Sequence, residues 1–303
     1  MESTRFMVPK MLVEKTFDTG EVEINYAEGP PSGPPLLLLH GLTERWQRFL
    51  PIMPALSMRC HIYAPDFRGH GRSGRVSGRY LLGDYAADTT VFLGEKLTEP
   101  AILFGHSLGG VVAIMIAARR PEMVRAVVVG DSPLPIAGLH EQLKDYRSFW
   151  AGWRDLVESG LSVKELVKAL TDMPLSIPGQ DEVVRYGDTV DAVSLLFVAK
   201  CLSLLDPDTL TPFVEMCDGH DRVLALFEGY EDEALLAISC PVLLLQGNVA
   251  LGGLMTDRQV ENALSMLPDA SYVVIEHAGH DLGLGTWNVA PLLQALSNFI
   301  ESL

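Results

Sequence analysis

Residues 102–118 read ILFGHSLGGVVAIMIAA. One apolar run enters, Gly105-His106-Ser107-Leu108-Gly109-Gly110 interrupts it, and a second apolar run leaves. Glycine is poor in strands and helices alike, so three of them around a serine mark a place where the backbone must turn hard. The entering run, AILF, suits a strand, and the leaving run, LGGVVAIMIAA, has the length of a helix. A strand that bends abruptly into a helix at Ser107 holds the hydroxyl out at the edge of the sheet. The flanking positions must then be glycine, because a side chain there would collide with strand or helix. The helix behind the serine adds free N–H groups and the positive end of its dipole. Gly-x-Ser-x-Gly between a strand and a helix therefore predicts a nucleophile elbow.

Outward from this turn the same alternation repeats. LLLLHG, CHIYAPDF, AVVVGDS, PVLLLQGN and SYVVIEHAGH are apolar along their length, the mark of strands covered on both faces of a mainly parallel sheet. Between them RWQRFLPIMPALS, LLGDYAADTTVFLGEKL, DRQVENALSMLP and VAPLLQALSNFIESL carry apolar stripes at helical spacing. KTFDTG and VEINYAEG, at the start, predict a β-hairpin around Thr19-Gly20. The expected fold is α/β, a mainly parallel eight-stranded sheet with helices on both faces. From about Pro133 to Ala237 the alternation stops. No strand pattern is visible there, and LHEQLKDYRSFWAGWRDLVES and SVKELVKALTD read as helices. The expected organisation is a core of residues 1–132 and 236–303, with residues 133–235 inserted after the sixth strand as a helical cap, or lid, over its carboxyl edge.

Ligands of such sheets bind beyond the carboxyl ends of the strands, where His40, Asp66, Ser107, Asp131 and His280 all fall. A serine hydroxyl needs a base, and EHAGH offers His277 and His280. His280, on the loop after the last strand, is the expected partner; His277 at the strand end reads as structural. An oxyanion needs two converging donors, expected here from the backbone N–H groups of Leu108 and of Leu42, which follows His40-Gly41. His40 itself reads as a hydrogen-bonded support.

LLLLHGL, APDFRGHGRSG, LFGHSLGG, PVLLLQGN and EHAGH together resemble the α/β-hydrolase fold superfamily, in the cap-bearing serine esterase-like branch. That branch also holds epoxide hydrolases, dehalogenases and C–C bond hydrolases. The resemblance covers nearly the whole chain outside 133–237, and implies that Asp66 and Arg68 belong to a structural turn. It also implies a triad acid soon after the penultimate strand, yet GNVALGGLMTD (Gly247–Asp257) has no carboxylate near Ala250. Asp131, ending the strand after the elbow helix, and Asp257 are the two candidates, with Asp131 expected. A chain with neither in place is a third possibility. The family's enzymes that attack saturated carbon carry aspartate at the elbow, so Ser107 implies a carbonyl substrate and an acyl-enzyme: a carboxylic ester, lactone or thioester. A C–C bond hydrolase or perhydrolase, or a non-catalytic small-molecule receptor, fits the same residues.

The rest of the composition sets bounds. Among 303 residues, 39 acids against 23 bases leave a net charge of −16, which disfavours nucleic acid and anionic membranes as partners. A small substrate with an apolar or aromatic acyl group is expected; Phe149, Trp150 and Trp153 could line its pocket, although packing of the cap helices on the core is the better account of most of those rings. Cys60, Cys201, Cys217 and Cys240 show no metal or CxxC spacing, and no phosphate-loop or dinucleotide fingerprint is present. No metal or cofactor is expected, nor a membrane span, and the N-terminus shows no secretory signal pattern, which together predict a cytoplasmic protein.

Overall fold

Leu36 to Leu39 show why continuous apolar runs were required. In a computed structural model of the chain, Leu36 and Leu38 pack into one core beneath the sheet while Leu37 and Leu39 pack into another above it. Alternate side chains of a strand point to opposite faces, so a strand sandwiched between two helical layers must be apolar at every position. The structure describes residues 12–134, 146–176 and 183–303. Part of the expected LHEQLKDYRSFWAGWRDLVES helix, residues 139–145, lies outside them.

Strands β1 (Val13–Asp18), β2 (Glu23–Glu28), β3 (Pro35–Leu39), β4 (His61–Pro65), β5 (Ala101–His106) and β6 (Val124–Gly130) come first; β7 (Pro174–Ser176) and β8 (Val183–Arg185) lie apart, and β9 (Val242–Gly247) and β10 (Ala270–Ile275) follow. The main sheet has eight strands in the order β1-β2-β4-β3-β5-β6-β9-β10. β1 with β2 and β2 with β4 are antiparallel, and all other pairs are parallel. The predicted hairpin is therefore the antiparallel edge.

Helices α1 (Leu82–Lys96), α2 (Leu108–Arg119), α3 (Arg147–Glu158), α4 (Val163–Asp172), α5 (Ala192–Leu202), α6 (Asp257–Met266) and α7 (Ala290–Glu301) are the longer ones. α1, α2 and α6 cover one face, and α7 with the short turns at Trp46–Phe49 and Met53–Leu56 covers the other. Between β6 and β9 the chain is mostly helical, but β7 and β8 form a small antiparallel ladder that corrects the strand-free reading of that stretch. Three-residue strands are too short to leave an alternation in the sequence. The apolar residues of α3, α4 and α5 join the core above the sheet, including Trp153, Leu166, Leu170 and Leu195. Among the described residues no helix is long and apolar enough to cross a membrane.

From β3 the next strand, β4, lies to one side, and β5 lies to the other. The order reverses at that point, and in sheets of this kind ligands bind where the loops leaving the two diverging strands part, beyond their carboxyl ends.

Candidate active site

Ser107 stands at that reversal, directly after β5. It joins β5 to α2 with φ 53° and ψ −118°, a backbone region that costs on the order of 1–3 kcal/mol and persists only where its surroundings impose it. They do so by contact: a Cβ on Gly105 would strike the Gly109 carbonyl, and one on Gly109 would strike the Leu39 carbonyl. The Ser107 N–H is tied to the Gly130 carbonyl at 2.9 Å, which fixes the turn against β6. The elbow read from the sequence is present.

His280 follows β10 and faces the serine. Its Nε2 lies 3.1 Å from Ser107 Oγ and its Nδ1 lies 2.8 Å from Asp131 Oδ2. Since a carboxylate only accepts, Nδ1 carries the proton and Nε2 is left with a lone pair toward the hydroxyl. His277 turns away instead, donating to the Asn288 carbonyl at 2.8 Å.

Asp131 is wholly buried, directly after β6, and at φ 40° it too is strained. Besides His280 it accepts the N–H groups of Gly247 (2.9 Å), Leu254 (2.7 Å) and Met255 (3.2 Å). Burial pushes this carboxyl up, but His280 and the amides outweigh it and hold its pKa below the ordinary value. The loop without a carboxylate thus supplies amides to an acid held by the neighbouring strand. Asp257 is engaged elsewhere: at the start of α6 it accepts the side-chain amide of Gln246 at 2.8 Å.

The loop after β3 borders the serine. Gly41 is so near that a Cβ on it would come within 3.2 Å of the Ser107 Cβ. Neither the Leu42 N–H nor the Leu108 N–H, the first of α2, meets a protein acceptor among the described residues. Two buried imidazoles brace this loop. His40 accepts the Phe67 N–H at 3.0 Å and donates to the Gly41 carbonyl at 2.7 Å. His70 accepts the Thr43 N–H at 3.3 Å and donates to the Arg68 carbonyl at 2.9 Å. Burial drives their pKa values down to about 4 and about 3, so both are neutral supports. Asp66 takes the N–H groups of Trp46 and Arg72, at 2.8 and 3.0 Å, and Arg68 pairs with Asp88 and Glu21, as expected of turn residues.

Two polar residues at the site, His106 and Glu44, escaped the sequence reading. Each carried a signal: His106 is a histidine closing an otherwise apolar strand, and Glu44 follows Leu42 by two residues. Phe149, Trp150 and Trp153 stack on one another and on Phe213 and Tyr186, so they pack the helices between β6 and β9. Among the described residues no group of three or more His, Cys, Asp or Glu is arranged to hold a metal. A groove of about 480 Å³ between α6 and β10, lined by Asp257, Tyr272 and Glu276 among others, excludes Ser107, Asp131 and His280.

Comparison with known proteins agrees with this geometry at the level of the family. The model of the alpha/beta hydrolase family matches residues 36–290, and the chain belongs to that family. A 2-(acetamidomethylene)succinate hydrolase of Mesorhizobium japonicum is 38% identical over 119 residues, covering 39% of this chain and 42% of that protein. The match thus spans less than half the length of that relative. The magnesium-chelatase 30 kDa subunit of Rhodobacter capsulatus is 29% identical over 73% of this chain and 72% of its own. The crystal structure of E-2-(acetamidomethylene)succinate hydrolase superposes with a TM-score of 0.73 at 24% identity, over 96% of this chain and all of that one, a likeness of fold.

Proposed function

We propose that the protein is a serine hydrolase that cleaves a carboxylic ester, or a lactone or thioester, through an acyl-enzyme. One observation carries this reading: an unbroken chain of hydrogen bonds from buried Asp131 through His280 to a strained, outward-facing Ser107. Ser107 Oγ attacks the carbonyl carbon while His280 Nε2 takes its proton. Asp131 keeps the imidazole in the Nδ1–H form and stabilises the imidazolium. The carbonyl oxygen, now anionic, is held by the N–H groups of Leu42 and Leu108. Collapse breaks the carbon–oxygen (or carbon–sulfur) bond to the leaving group, which departs with the proton from His280. Water then enters, gives a proton to His280 and attacks the acyl carbon; the carbon–Oγ bond breaks, His280 returns the proton to Ser107 Oγ, and the acid leaves.

Residues 133–235 serve in this reading as a cap over the carboxyl edge of the sheet, with the core in 1–132 and 236–303. The acyl group is small and apolar or aromatic, in keeping with the apolar helices above the sheet. A non-catalytic receptor on this scaffold was suggested by the loop after β9, which lacks an acid; Asp131 in contact with His280 speaks against it. Release of nitrophenol from short p-nitrophenyl esters tests the proposal. Turnover that disappears in Ser107→Ala supports it, whereas binding without turnover would favour the receptor.

A further inference from the structure

The residue preceding the nucleophile is a histidine that the mechanism above leaves unused. His106 closes β5, is 2% exposed, and turns both ring nitrogens to acceptors. Nε2 lies 2.7 Å from the His280 carbonyl oxygen and Nδ1 3.3 Å from Oε2 of Glu44. Carbonyl and carboxylate only accept, so both nitrogens donate and the ring is an imidazolium. Burial opposes that charge, but Glu44 and the His280 carbonyl prevail and raise the pKa of the ring above its ordinary value.

Glu44 is the hub. Its Oε2 also accepts the Gly41 N–H at 3.0 Å, and its Oε1 accepts the Nε of Arg48 at 2.5 Å. Burial again opposes ionisation, and Arg48 and His106 overcome it, holding the carboxyl well below its usual range. The Arg48 guanidinium lies 4.8 Å from the ring centroid of Phe197, on α5. One buried cluster therefore touches the loop after β3, the elbow, the loop bearing His280, and a helix of the segment above.

We propose that Glu44, His106 and Arg48 form a positioning network that fixes the Gly41–Leu42 backbone and the backbone of His280 around Ser107. The effect on rate rests on the hydrolytic function proposed above; the electrostatic effect does not. The rings of His106 and His280 have centroids 4.9 Å apart. His106 is faced by Glu44, Arg48, His40 and His280, and His280 by Ser107, Asp131 and His106. The electrostatic effect is on His106 itself: without the Glu44 carboxylate the buried ring loses the partner that holds its second proton.

The test follows the histidine rings of ¹⁵N-labelled protein by NMR across pH in the wild type, Glu44→Gln and His106→Gln, together with kcat and KM on a p-nitrophenyl ester. The expected results are a doubly protonated His106 at neutral pH in the wild type and a singly protonated His106 in Glu44→Gln, where the carboxylate that holds the second proton is gone. kcat should drop roughly ten- to a hundredfold in each single variant, with KM within about threefold, as for misplacement of reacting groups. A neutral His106 ring at pH 7 overturns the network even if every variant fails to fold. So does a His106 ring that stays doubly protonated in Glu44→Gln. A wild type that turns over no ester would sink the hydrolytic function alone, because the NMR titration still decides the network.

Discussion

Asp131 is the residue on which the proposed chemistry turns. Asp131→Asn keeps the shape but no longer fixes the Nδ1–H form of His280, so kcat on a p-nitrophenyl ester should fall on the order of 10⁴-fold. Circular dichroism should show an intact fold. Asp257→Asn should leave kcat within about twofold, because that carboxylate bonds Gln246 and starts α6 rather than facing His280. The reverse pair of outcomes would move the acid to Asp257. A second residue-scale effect concerns pH. His40 is held neutral down to about pH 4, against an unfolded value near 6.5. The unfolded chain therefore binds the proton first, and the folded state loses stability as pH falls through that window. The loss from His40 is on the order of 3 kcal/mol by pH 4. The urea midpoint should decline accordingly between pH 6.5 and 4, and less steeply in His40→Gln. Equal slopes would contradict the assignment.

At the scale of elements the elbow is a steric device. Gly109→Ala would drive a methyl group into the Leu39 carbonyl, so α2 must shift from β3. A loss of more than about 3 kcal/mol, or failure to accumulate folded protein, is expected on denaturant unfolding; a loss under about 1 kcal/mol would show that the packing there is slack. This part of the molecule was legible in the sequence because each pattern is local, even where the contact is not. Glycines at fixed offsets from Ser107 sit in one short stretch, although Gly105 answers to the Gly109 carbonyl nearby and Gly109 to the Leu39 carbonyl of β3, and apolar runs without alternation answer to burial on both faces of a strand. The acid was harder to read. Whether Asp131 or Asp257 meets His280 depends on how the loop after β9 folds back, and its donors, the amides of Gly247, Leu254 and Met255, leave no trace in side-chain identity. The Glu44–His106 contact was hidden for the same reason: 62 residues separate partners that meet only once β3 and β5 are paired. The β7–β8 ladder was too short to register.

Across the whole molecule, the helices between β6 and β9 are bonded to the core as well as packed on it. The Tyr80 hydroxyl donates to Asp206 at 2.7 Å, the Asp206 N–H to the Gly69 carbonyl at 2.8 Å, and the Ser194 hydroxyl to the Gly285 carbonyl at 2.9 Å. Their apolar residues belong to the same core as the upper face of the sheet. Unfolding in urea should therefore be one transition followed alike by tryptophan fluorescence, to which Trp150 and Trp153 of this segment and Trp46 of the core contribute, and by circular dichroism; two separated transitions would make the segment an independent unit. Tyr80→Phe leaves the Asp206 carboxylate short of a donor and should lower stability by about 1–3 kcal/mol. Throughout, the sheet acts as the fixed frame: strand order reverses between β3 and β5, and the chain leaving those strands carries Leu42 and Leu108 to the same end of the sheet as Ser107. The most direct measurement is reaction with a fluorophosphonate, followed by mass spectrometry of the digested protein. One phosphonyl group per chain on Ser107, absent from Ser107→Ala and formed far more slowly in Asp131→Asn, is the predicted result. An unlabelled wild type, or labelling that persists in Ser107→Ala, would contradict the account.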